Sequence, residues 1–235
     1  MKILMQGDCL ELMKDIPDGS IDMVLTDPPY GTTACKWDSV IPFEPMWEQL
    51  KRITKKNGAI VMMAAQPFTS ALGASNLPGL RYSWAWKKSA ATGHLNAKRA
   101  PMANLEDVLV FYKKQPTYNP QGLIPYNKAT RRGGNGGCYG AIAPGRYMQK
   151  WTNYPRRLLE FASAGKTVHP TQKPVALMEY LIKTYTNEGE TVLDFTMGSG
   201  TTGVAAKNLN RSFIGIELDE NYYNIAKDRI EGALI

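Results

Sequence analysis

An acidic residue, two prolines and an aromatic residue follow one another at the end of a short apolar run. Asp27-Pro28-Pro29-Tyr30 comes directly after Ile21–Thr26, and such a run has the length of one buried strand. Proline fixes φ and donates no backbone hydrogen bond, so the chain must leave the sheet here. A rigid carboxylate, backbone carbonyls and a tyrosine ring suit a planar ring that carries an exocyclic amine. Taken alone, the same residues also fit an ordinary turn.

A second group of small and polar residues follows an apolar run near the other end of the chain. Residues 194–202 are Asp-Phe-Thr-Met-Gly-Ser-Gly-Thr-Thr, and small residues let a ligand approach the backbone at the start of a helix. The loop lacks the third glycine of the dinucleotide fingerprint and the lysine of a P-loop. Glu217 ends the next predicted strand, where an acid can bind a ribose diol. These features predict a nucleoside cofactor without a required pyrophosphate, and S-adenosylmethionine fits that description.

Both ends of the chain are predicted to alternate strands with helices, which favours a mostly parallel, doubly wound α/β sheet. The length fits one domain with an insertion. The predicted strands are Lys2–Gln6, Ile21–Thr26, 59–65, 82–86, 108–112, 191–195 and Ser212–Glu217. The predicted helices are 44–55, 175–186, 200–208 and 221–231. Asn57-Gly58 is expected to stop the first of them.

The middle of the chain interrupts this alternation from residue 113 to residue 166. Arg131-Arg132 and the glycine-rich residues 133–137 are not expected to hold a regular element without help, because glycine loses much entropy in any fixed conformation. Aromatic residues interleaved with Arg and Lys follow them. We interpret residues 93–166 as an inserted region.

The positive charge of the chain is concentrated in its middle third. The net charge is +7, and residues 87–166 hold 14 Lys and Arg against 3 Asp and Glu. The two flanking parts are mildly acidic. A basic block between them favours a segment that faces nucleic acid, although a solvated basic surface that aids solubility has the same composition.

Composition argues against several classes of protein. Hydrophobic residues make up 43% of the 235 residues, as in ordinary globular proteins, and no apolar run approaches the roughly 18 to 20 residues of a membrane span. The N-terminus lacks the apolar core of a signal peptide. Cys9, Cys35 and Cys138 are isolated from one another, which favours neither a zinc site nor a disulfide framework. We expect a cytoplasmic protein that binds no metal.

Five segments together resemble one enzyme family. Besides 26–30 and 194–202, they are Gly7-Asp8-Cys9-Leu10-Glu11-Leu12, His169-Pro170-Thr171-Gln172-Lys173-Pro174 and Phe213-Ile214-Gly215-Ile216-Glu217. Their types and order resemble the beta class of amino-group DNA methyltransferases, in which the catalytic motif precedes the cofactor motif. The resemblance implies a Rossmann-like fold with a seven-stranded sheet and a circularly permuted motif order. Residues 93–166 correspond to the family's target-recognition region by position only.

The resemblance also implies a reaction, a partner and a set of site residues. It implies transfer of a methyl group from S-adenosylmethionine to adenine N6 at a specific DNA sequence, in a prokaryotic or phage-infected cell, with Asp27-Pro28-Pro29-Tyr30 catalytic. Phe195-Thr196 departs from the Pro-Phe that usually follows the first Asp of the cofactor loop, so the usual apolar contact at position 196 is not expected. The residues implied for cofactor binding are Asp8, Thr171, Lys173, Asp194, Phe195, Gly198, Ser199, Gly200, Thr201, Thr202 and Glu217.

The residue types indicate how a base amine would be activated. Such an amine is a weak nucleophile, because its lone pair is delocalised into the ring. The Asp27 carboxylate and the Pro28 carbonyl can accept its two N–H groups and stabilise the positive charge that develops on nitrogen, while Tyr30 stacks on the ring. The base must be flipped out or unpaired to reach this pocket. The arginines expected to hold phosphates or read purine edges are Arg99, Arg131, Arg132, Arg146, Arg156 and Arg157. The aromatic candidates to fill the gap left by a flipped base are Tyr139, Tyr147 and Trp151.

Several alternatives stay open from the sequence. Cytosine-N4 methylation uses the same carboxylate chemistry, and a non-catalytic DNA-binding module would keep the same fold. Asp8 also fits a turn cap, Thr171 a helix start and Lys173 a surface charge. Trp84 and Trp86 favour core packing over base contacts. Beta-class relatives are often dimers, and the sequence does not distinguish a monomer from a homodimer.

Overall fold

The computed structural model describes residues 2–35, 38–133, 143–165 and 167–232. Within these ranges the strands form one large sheet and one two-stranded sheet. The α-helices are α1 (Cys9–Leu12), α2 (Phe43–Ile53), α3 (Phe68–Ser75), α4 (Val175–Tyr185), α5 (Thr201–Asn208) and α6 (Glu220–Gly232). The strands are β1 (Lys2–Gln6), β2 (Ile21–Thr26), β3 (Thr54–Ala64), β4 (Leu80–Thr92), β5 (Ala103–Phe111), β6 (Ile124–Arg132), β7 (Gly145–Thr152), β8 (Leu158–Glu160), β9 (Thr191–Asp194) and β10 (Ser212–Glu217).

The large sheet has the mostly parallel topology predicted from the sequence. Its order is β1-β10-β9-β2-β3-β5-β4-β8. Within this sheet, the described β3–β5 and β5–β4 pairings are antiparallel and the others are parallel. The sheet has eight strands and not the predicted seven, because β8 adds a parallel edge strand to β4. Leu159 is buried, and Trp86 Nε1 donates to the carbonyl of Phe161 at 2.9 Å, which holds this short strand in place.

Helices cover both faces of the sheet, as expected of a doubly wound α/β fold. Alternate residues of a strand point to opposite faces, so Met23 and Leu25 belong to one apolar cluster and Val24 to the other. Helices α4, α5 and α6 complete the first cluster, and α2 and α3 complete the second. Because both faces are buried, the central strands are continuous apolar runs. The Rossmann-like prediction is confirmed.

Helix α2 ends and strand β3 begins earlier than the sequence predicted. The helix predicted over 44–55 ends at Ile53, and β3 starts at Thr54, so Gly58 lies inside a strand and does not stop a helix. The register between β2 and β3 shifts at this point. A Cβ at Gly58 would lie 2.6 Å from Thr54 Cγ2 and 2.9 Å from the Asp22 carbonyl oxygen. The glycine therefore serves a strand irregularity.

Several elements are longer than predicted or were not predicted at all. The strands expected at 82–86 and 108–112 are parts of the longer β4 and β5, and α3 was not expected. Arg131 pairs with Arg146 across the antiparallel β6–β7 ladder. Arg131 and Arg132 therefore lie in a regular element, because pairing with β7 satisfies this backbone. Residues 134–142, which include Cys138 and Tyr139, lie outside the described residues.

The chain packs as two units. One comprises residues 1–119 and 157–235 and holds the large sheet, and the other comprises residues 120–156 and holds β6 and β7. Strands β5 and β8 lie inside the predicted insertion 93–166 but belong to the large sheet. Within the described ranges, no helix is both long enough and apolar enough to cross a membrane.

Candidate active site

Four parallel strands end side by side and bring the predicted site residues to one edge of the sheet. Strand β2 ends at Thr26, β9 at Asp194 and β10 at Glu217, while Asp8 follows β1 after one residue. The four strands are neighbours in the order β1-β10-β9-β2. Ligands of open α/β sheets bind outside the carboxyl ends of such strands. Motifs more than 160 residues apart in the chain therefore meet at one edge.

The Asp27 carboxylate has a partner on each oxygen. Tyr30 Oη donates to Oδ1 at 2.6 Å, and Lys173 Nζ donates to Oδ2 at 2.5 Å. Burial and the charge of Asp27 raise the pKa of Tyr30 well above its ordinary value, so the hydroxyl keeps its proton. Pro28 is buried and Pro29 is half-buried. These residues form a fixed polar corner.

Two contacts that the sequence did not predict hold this corner in place. The Tyr30 ring stacks on Phe68 of α3, with centroids 5.1 Å apart and planes at 22°. The Asp38 carboxylate accepts from the backbone amides of Gly31, Thr32 and Thr33 at 2.8, 2.9 and 2.6 Å. Burial would raise the pKa of Asp38, but hydrogen bonds from Thr33 and these amides outweigh it, so the pKa is lowered. Asp38 therefore stays ionised and closes the loop after Tyr30.

Lys173 is buried and is not the surface charge that the sequence left open. Its side chain is 7% exposed, and besides Asp27 it faces Glu106 Oε2 at 3.4 Å. Glu106 Oε1 in turn accepts from Lys88 Nζ at 3.1 Å. Burial would lower the pKa of Lys173, but the carboxylates of Asp27 and Glu106 outweigh it, so the pKa is raised. Two cations and two anions thus form a compensated cluster beside the Tyr30 ring.

Hydroxyl groups connect Asp194 to the end of β2. Thr26 Oγ1 donates to Asp194 Oδ1 at 2.7 Å and lies 2.6 Å from Thr196 Oγ1. Thr196 Oγ1 is also positioned to donate to the carbonyl oxygen of Asp27, at 3.4 Å. Burial raises the pKa of Asp194 to about 7, against the lowering effect of hydrogen bonds from Thr202 and Thr26. As expected, position 196 does not make the apolar contact that is usual in the family. Thr196 instead makes polar contacts with Thr26 and Asp27.

The glycine loop and Glu217 are fastened to each other. Gly198 N donates to Glu217 Oε2 at 2.8 Å, and Asp219 N donates to Oε1 at 2.9 Å. Burial raises the pKa of Glu217, while these amides act against that shift. Gly198 has φ +50°, a conformation that glycine adopts without strain. The carboxylate at the end of β10 is thereby held in one orientation beside the loop.

Helix α6 supports the loop from behind. Arg229 Nη1 donates to the carbonyl oxygen of Ser199 and, at 2.8 Å, to Ser199 Oγ. Gly200 has φ +80°, and a Cβ there would lie 2.9 Å from Ala226 Cβ. Thr201 and Thr202 are buried at the start of α5. Arg229 was not predicted, because nothing in its own segment indicates a loop 30 residues away.

Asp8 has the turn-cap role that the sequence left open. Its side chain accepts from Leu10 N at 2.8 Å and caps α1. Gly7 N donates to the carbonyl oxygen of Glu217 at 2.9 Å, which fixes Asp8 near the end of β10. Its exposed carboxylate can therefore cap the helix and still face a ligand at this edge.

The remaining predicted cofactor residues lie around the loop. Thr171 does not cap a helix, because α4 begins after Pro174 and Thr171 Oγ1 lies 3.1 Å from His169 Nδ1. The His169 ring packs against Tyr222 with centroids 4.2 Å apart. Burial lowers the pKa of His169. The Phe195 side chain is buried in the second apolar cluster, so it anchors the loop to the core.

The six arginines predicted to bind DNA are all exposed. Arg131 and Arg132 lie on β6 and Arg146 on β7. The exposed aromatic residues Tyr147 and Trp151 share β7. Arg156 belongs to the same unit, whereas Arg99 and Arg157 belong to the unit of the large sheet. Tyr139, the third aromatic candidate, lies outside the described residues. Trp84 and Trp86 were expected to pack in the core and not to contact bases, and both are buried in the first apolar cluster.

Glu106 is the site residue whose absence from the predictions matters most. It is one of 3 acidic residues among 14 basic ones in residues 87–166, and it lies on a strand next to apolar residues. An acid in a mostly apolar strand is a usable signal, because a buried carboxylate needs a partner. The ladder partners of β5 place it beside Trp86 of β4.

The loop residues fit S-adenosylmethionine. A Cβ built on Gly198 would meet only the His169 ring, at 3.9 Å, among the described residues, so a ligand can approach this backbone closely. Glu217 presents a fixed carboxylate for a ribose diol at the adjacent strand end. Asp27 follows β2, and only β9 lies between β2 and β10 in the sheet. Among the described residues no cluster of His, Cys, Asp and Glu could hold a metal ion.

Comparison with known proteins identifies the family. A family model described as DNA methylase (N6_N4_Mtase) matches residues 21–228. The type II methyltransferase M.HpaI of Haemophilus parainfluenzae is 29% identical, over 97% of this chain and 74% of that protein. The putative methylase YubD of Escherichia coli strain K12 is 30% identical, over 98% of this chain and 90% of that protein.

Solved structures give the same result. The M1.HpyAVI–SAM complex matches with a TM-score of 0.68 at 28% identity, over 97% of this chain and 100% of that chain. The cytosine-N4-specific PvuII DNA methyltransferase shares the fold, with a TM-score of 0.73 at 17% identity over 97% and 86% of the two chains. The chain therefore belongs to the N4/N6 DNA methylase family and is an S-adenosylmethionine-dependent DNA methyltransferase.

Proposed function

We propose that this protein methylates the exocyclic N6 of adenine at a specific DNA sequence. The Asp27 carboxylate carries the proposal, because it is fixed by Tyr30 and Lys173 at the end of β2. Many cytosine-N4 members of the beta class have serine at this position, so an aspartate favours adenine. A carboxylate also accepts an amine N–H more strongly than a hydroxyl does.

The residues around the amine activate it by position and charge. When bound, S-adenosylmethionine supplies an electrophilic methyl group on its sulfonium. Asp27 and the Pro28 carbonyl accept the two N–H groups of the base, which favours a pyramidal nitrogen with a free lone pair. The negative charge of Asp27 stabilises the positive charge that develops on that nitrogen. Tyr30, held by Phe68 and by its bond to Asp27, orients the base ring, and correct orientation supplies much of the remaining rate.

Sequence recognition is assigned to the basic residues outside the catalytic corner. A base inside a duplex cannot reach Asp27, so the target is flipped out. Arg131, Arg132, Arg146 and Arg156 are exposed in the unit of residues 120–156 and are suited to phosphates and purine edges. Tyr147 and Trp151 are exposed on the same strand and are suited to fill the gap that the base leaves.

Cytosine-N4 methylation is the second candidate. The cytosine-N4-specific PvuII DNA methyltransferase has the same fold, so the fold does not distinguish the two bases. Both target bases present an exocyclic amine beside a ring nitrogen, so the same acceptors serve either one.

The experiment that separates them identifies the methylated nucleoside. The protein is incubated with unmethylated plasmid DNA and methyl-labelled S-adenosylmethionine, and the DNA is digested to nucleosides. Label on N6-methyl-2′-deoxyadenosine is expected, and label on N4-methyl-2′-deoxycytidine would establish the second candidate instead. The absence of label with any DNA, together with normal cofactor binding, would contradict both.

A further inference from the structure

The Lys173 ammonium binds the Asp27 carboxylate, whose negative charge the proposed reaction needs. Lys173 Nζ lies 2.5 Å from Asp27 Oδ2 and is 7% exposed. A positive charge develops on the target nitrogen during methyl transfer, and Asp27 is placed to stabilise it. An ammonium bound to the same carboxylate in a buried site offsets that stabilisation. Efficient transfer therefore requires another anion to take up the charge of Lys173.

Glu106 offers that anion from the other side of Lys173. Its Oε1 is held by Lys88, whereas its buried Oε2 has no hydrogen-bond partner among the described residues. Oε2 lies 3.4 Å from Lys173 Nζ. Lys173 is thus the charge partner of this oxygen, at a separation longer than an ordinary hydrogen bond.

The geometry permits Lys173 to exchange one carboxylate for the other. A movement of Nζ of about 0.5 Å would bring it within hydrogen-bond distance of Glu106 Oε2. The long lysine side chain allows such a movement, whereas Glu106 and Lys88 are fixed on the paired strands β5 and β4. The acceptor is therefore already in place and only the lysine head group has to move.

We propose that Glu106 is a positioning residue that takes the Lys173 ammonium from Asp27 when the target amine enters. The inference rests on the proposed function, because the amine is what competes with Lys173 for Asp27. In this arrangement Asp27 keeps its full negative charge for the methyl-transfer step. Lys173 in turn holds the carboxylate in orientation before that step.

The kinetic test is a double-mutant cycle on unmethylated plasmid DNA. Glu106→Gln keeps the size of the side chain and removes its charge, so Lys173 stays on Asp27 and kcat falls about tenfold or more. The KM for DNA and the Kd for S-adenosylmethionine are expected to change less than about threefold. In a Lys173→Met background the same Glu106→Gln change has no ammonium to reposition, so its effect on kcat is expected to disappear.

A matched control uses the same substitution at an exposed ion pair. Glu160 lies on β8 and binds Lys87 of β4 at 2.7 Å. The Glu160 side chain is 63% exposed. Glu160→Gln is expected to leave kcat and KM unchanged. Equal loss of kcat from Glu106→Gln in the wild-type and Lys173→Met backgrounds, or no loss in the wild type, would overturn the proposal.

A structural test does not depend on activity. In a crystal structure of Asp27→Asn, the charge that attracts Lys173 is gone, so Nζ is expected within hydrogen-bond distance of Glu106 Oε2. An Nζ that stays on residue 27 contradicts the exchange, even if both lysine and glutamate variants are inactive. If the labelling experiment instead detects no methylated base in any DNA, the proposed function fails while this structure still decides whether Lys173 can exchange carboxylates.

Discussion

At the scale of single residues, the chemistry depends on how a few buried charges are compensated. Asp27 could be selected from the sequence, because a carboxylate between an apolar run and two prolines needs partners. The pairing of Asp27 with Lys173 could not be predicted, since the two residues are 146 positions apart, and Glu106 was not selected because its strand carries no motif of its own. Ion pairs between distant segments depend on strand order, which local patterns do not contain.

Replacing Asp27 tests the acceptor role directly. Asp27→Asn keeps the size of the side chain but removes its charge, so kcat is expected to fall by about 10²- to 10³-fold. Binding of S-adenosylmethionine, measured by calorimetry, is expected to stay near the wild-type value. Asp18→Asn is a suitable control, because Asp18 is 77% exposed and paired with Arg52. A fully active Asp27→Asn protein would contradict the assignment.

Asp194 gives the stability of the protein a specific pH dependence. Its pKa is raised from 3.8 to about 7, so between these values the folded protein binds more protons at this site than the unfolded chain does. Stability from this group is therefore greatest at low pH and is lost as pH rises from about 4 to about 7. The free energy of unfolding in urea, measured for wild type and Asp194→Asn at several pH values, reports the difference. We expect wild type to lose stability relative to the variant across that range, and a constant difference would refute the shift.

At the scale of elements, the site is a product of parallel strands that end together. Four strand ends carry Asp8, Thr26, Asp194 and Glu217, and the sheet order makes them neighbours. The apolar runs predicted β2 and β10 to the residue, because buried strands have a strong pattern. The β6–β7 ladder was missed, since paired exposed strands without an apolar face lack that pattern. The start of β3 was missed because Gly58 fits a strand irregularity as well as a helix end.

The close contact between the glycine loop and α6 is testable with a matched pair of glycines. Gly200 and Gly189 have nearly the same φ, +80° and +81°, but a Cβ at Gly200 would meet Ala226 at 2.9 Å, whereas a Cβ at Gly189 would meet nothing within 4 Å. Both alanine variants carry backbone strain, and Gly200→Ala adds a clash. We expect Gly200→Ala to lower the free energy of unfolding by about 1–3 kcal/mol more than Gly189→Ala. Equal losses would mean that α6 does not restrict this position.

At the scale of the whole molecule, charge and catalysis are divided along the chain. The predicted catalytic and cofactor residues come from both ends, whereas residues 87–166 carry 14 of the 28 basic residues and only 3 of the 21 acidic ones. The alternation of predicted strands and helices indicated the fold class, and the distribution of charge predicted a basic middle segment. It did not predict that β5 and β8 belong to the large sheet, because a basic segment can still contribute strands whose apolar face is buried.

The basic residues of the unit at 120–156 are expected to control affinity for DNA without affecting the cofactor site. Changing Arg131 and Arg146 to Gln together removes two candidate phosphate contacts, so the slope of log affinity against log salt should decrease by about 2. Fluorescence anisotropy with a duplex at several salt concentrations measures this slope. Lys14→Gln, an exposed lysine paired with Glu11, is the control and should leave the slope unchanged. An unchanged slope in the double variant would exclude these arginines from phosphate binding.

The most direct test of the central claim is to map modified bases in the genome of a methylation-deficient bacterial host that expresses the protein. We expect N6-methyladenine at one recurring short sequence and none in a host that expresses Asp27→Ala. N4-methylcytosine at the recurring sequence, or a genome without any new modified base despite a folded, cofactor-binding protein, would contradict the proposed function.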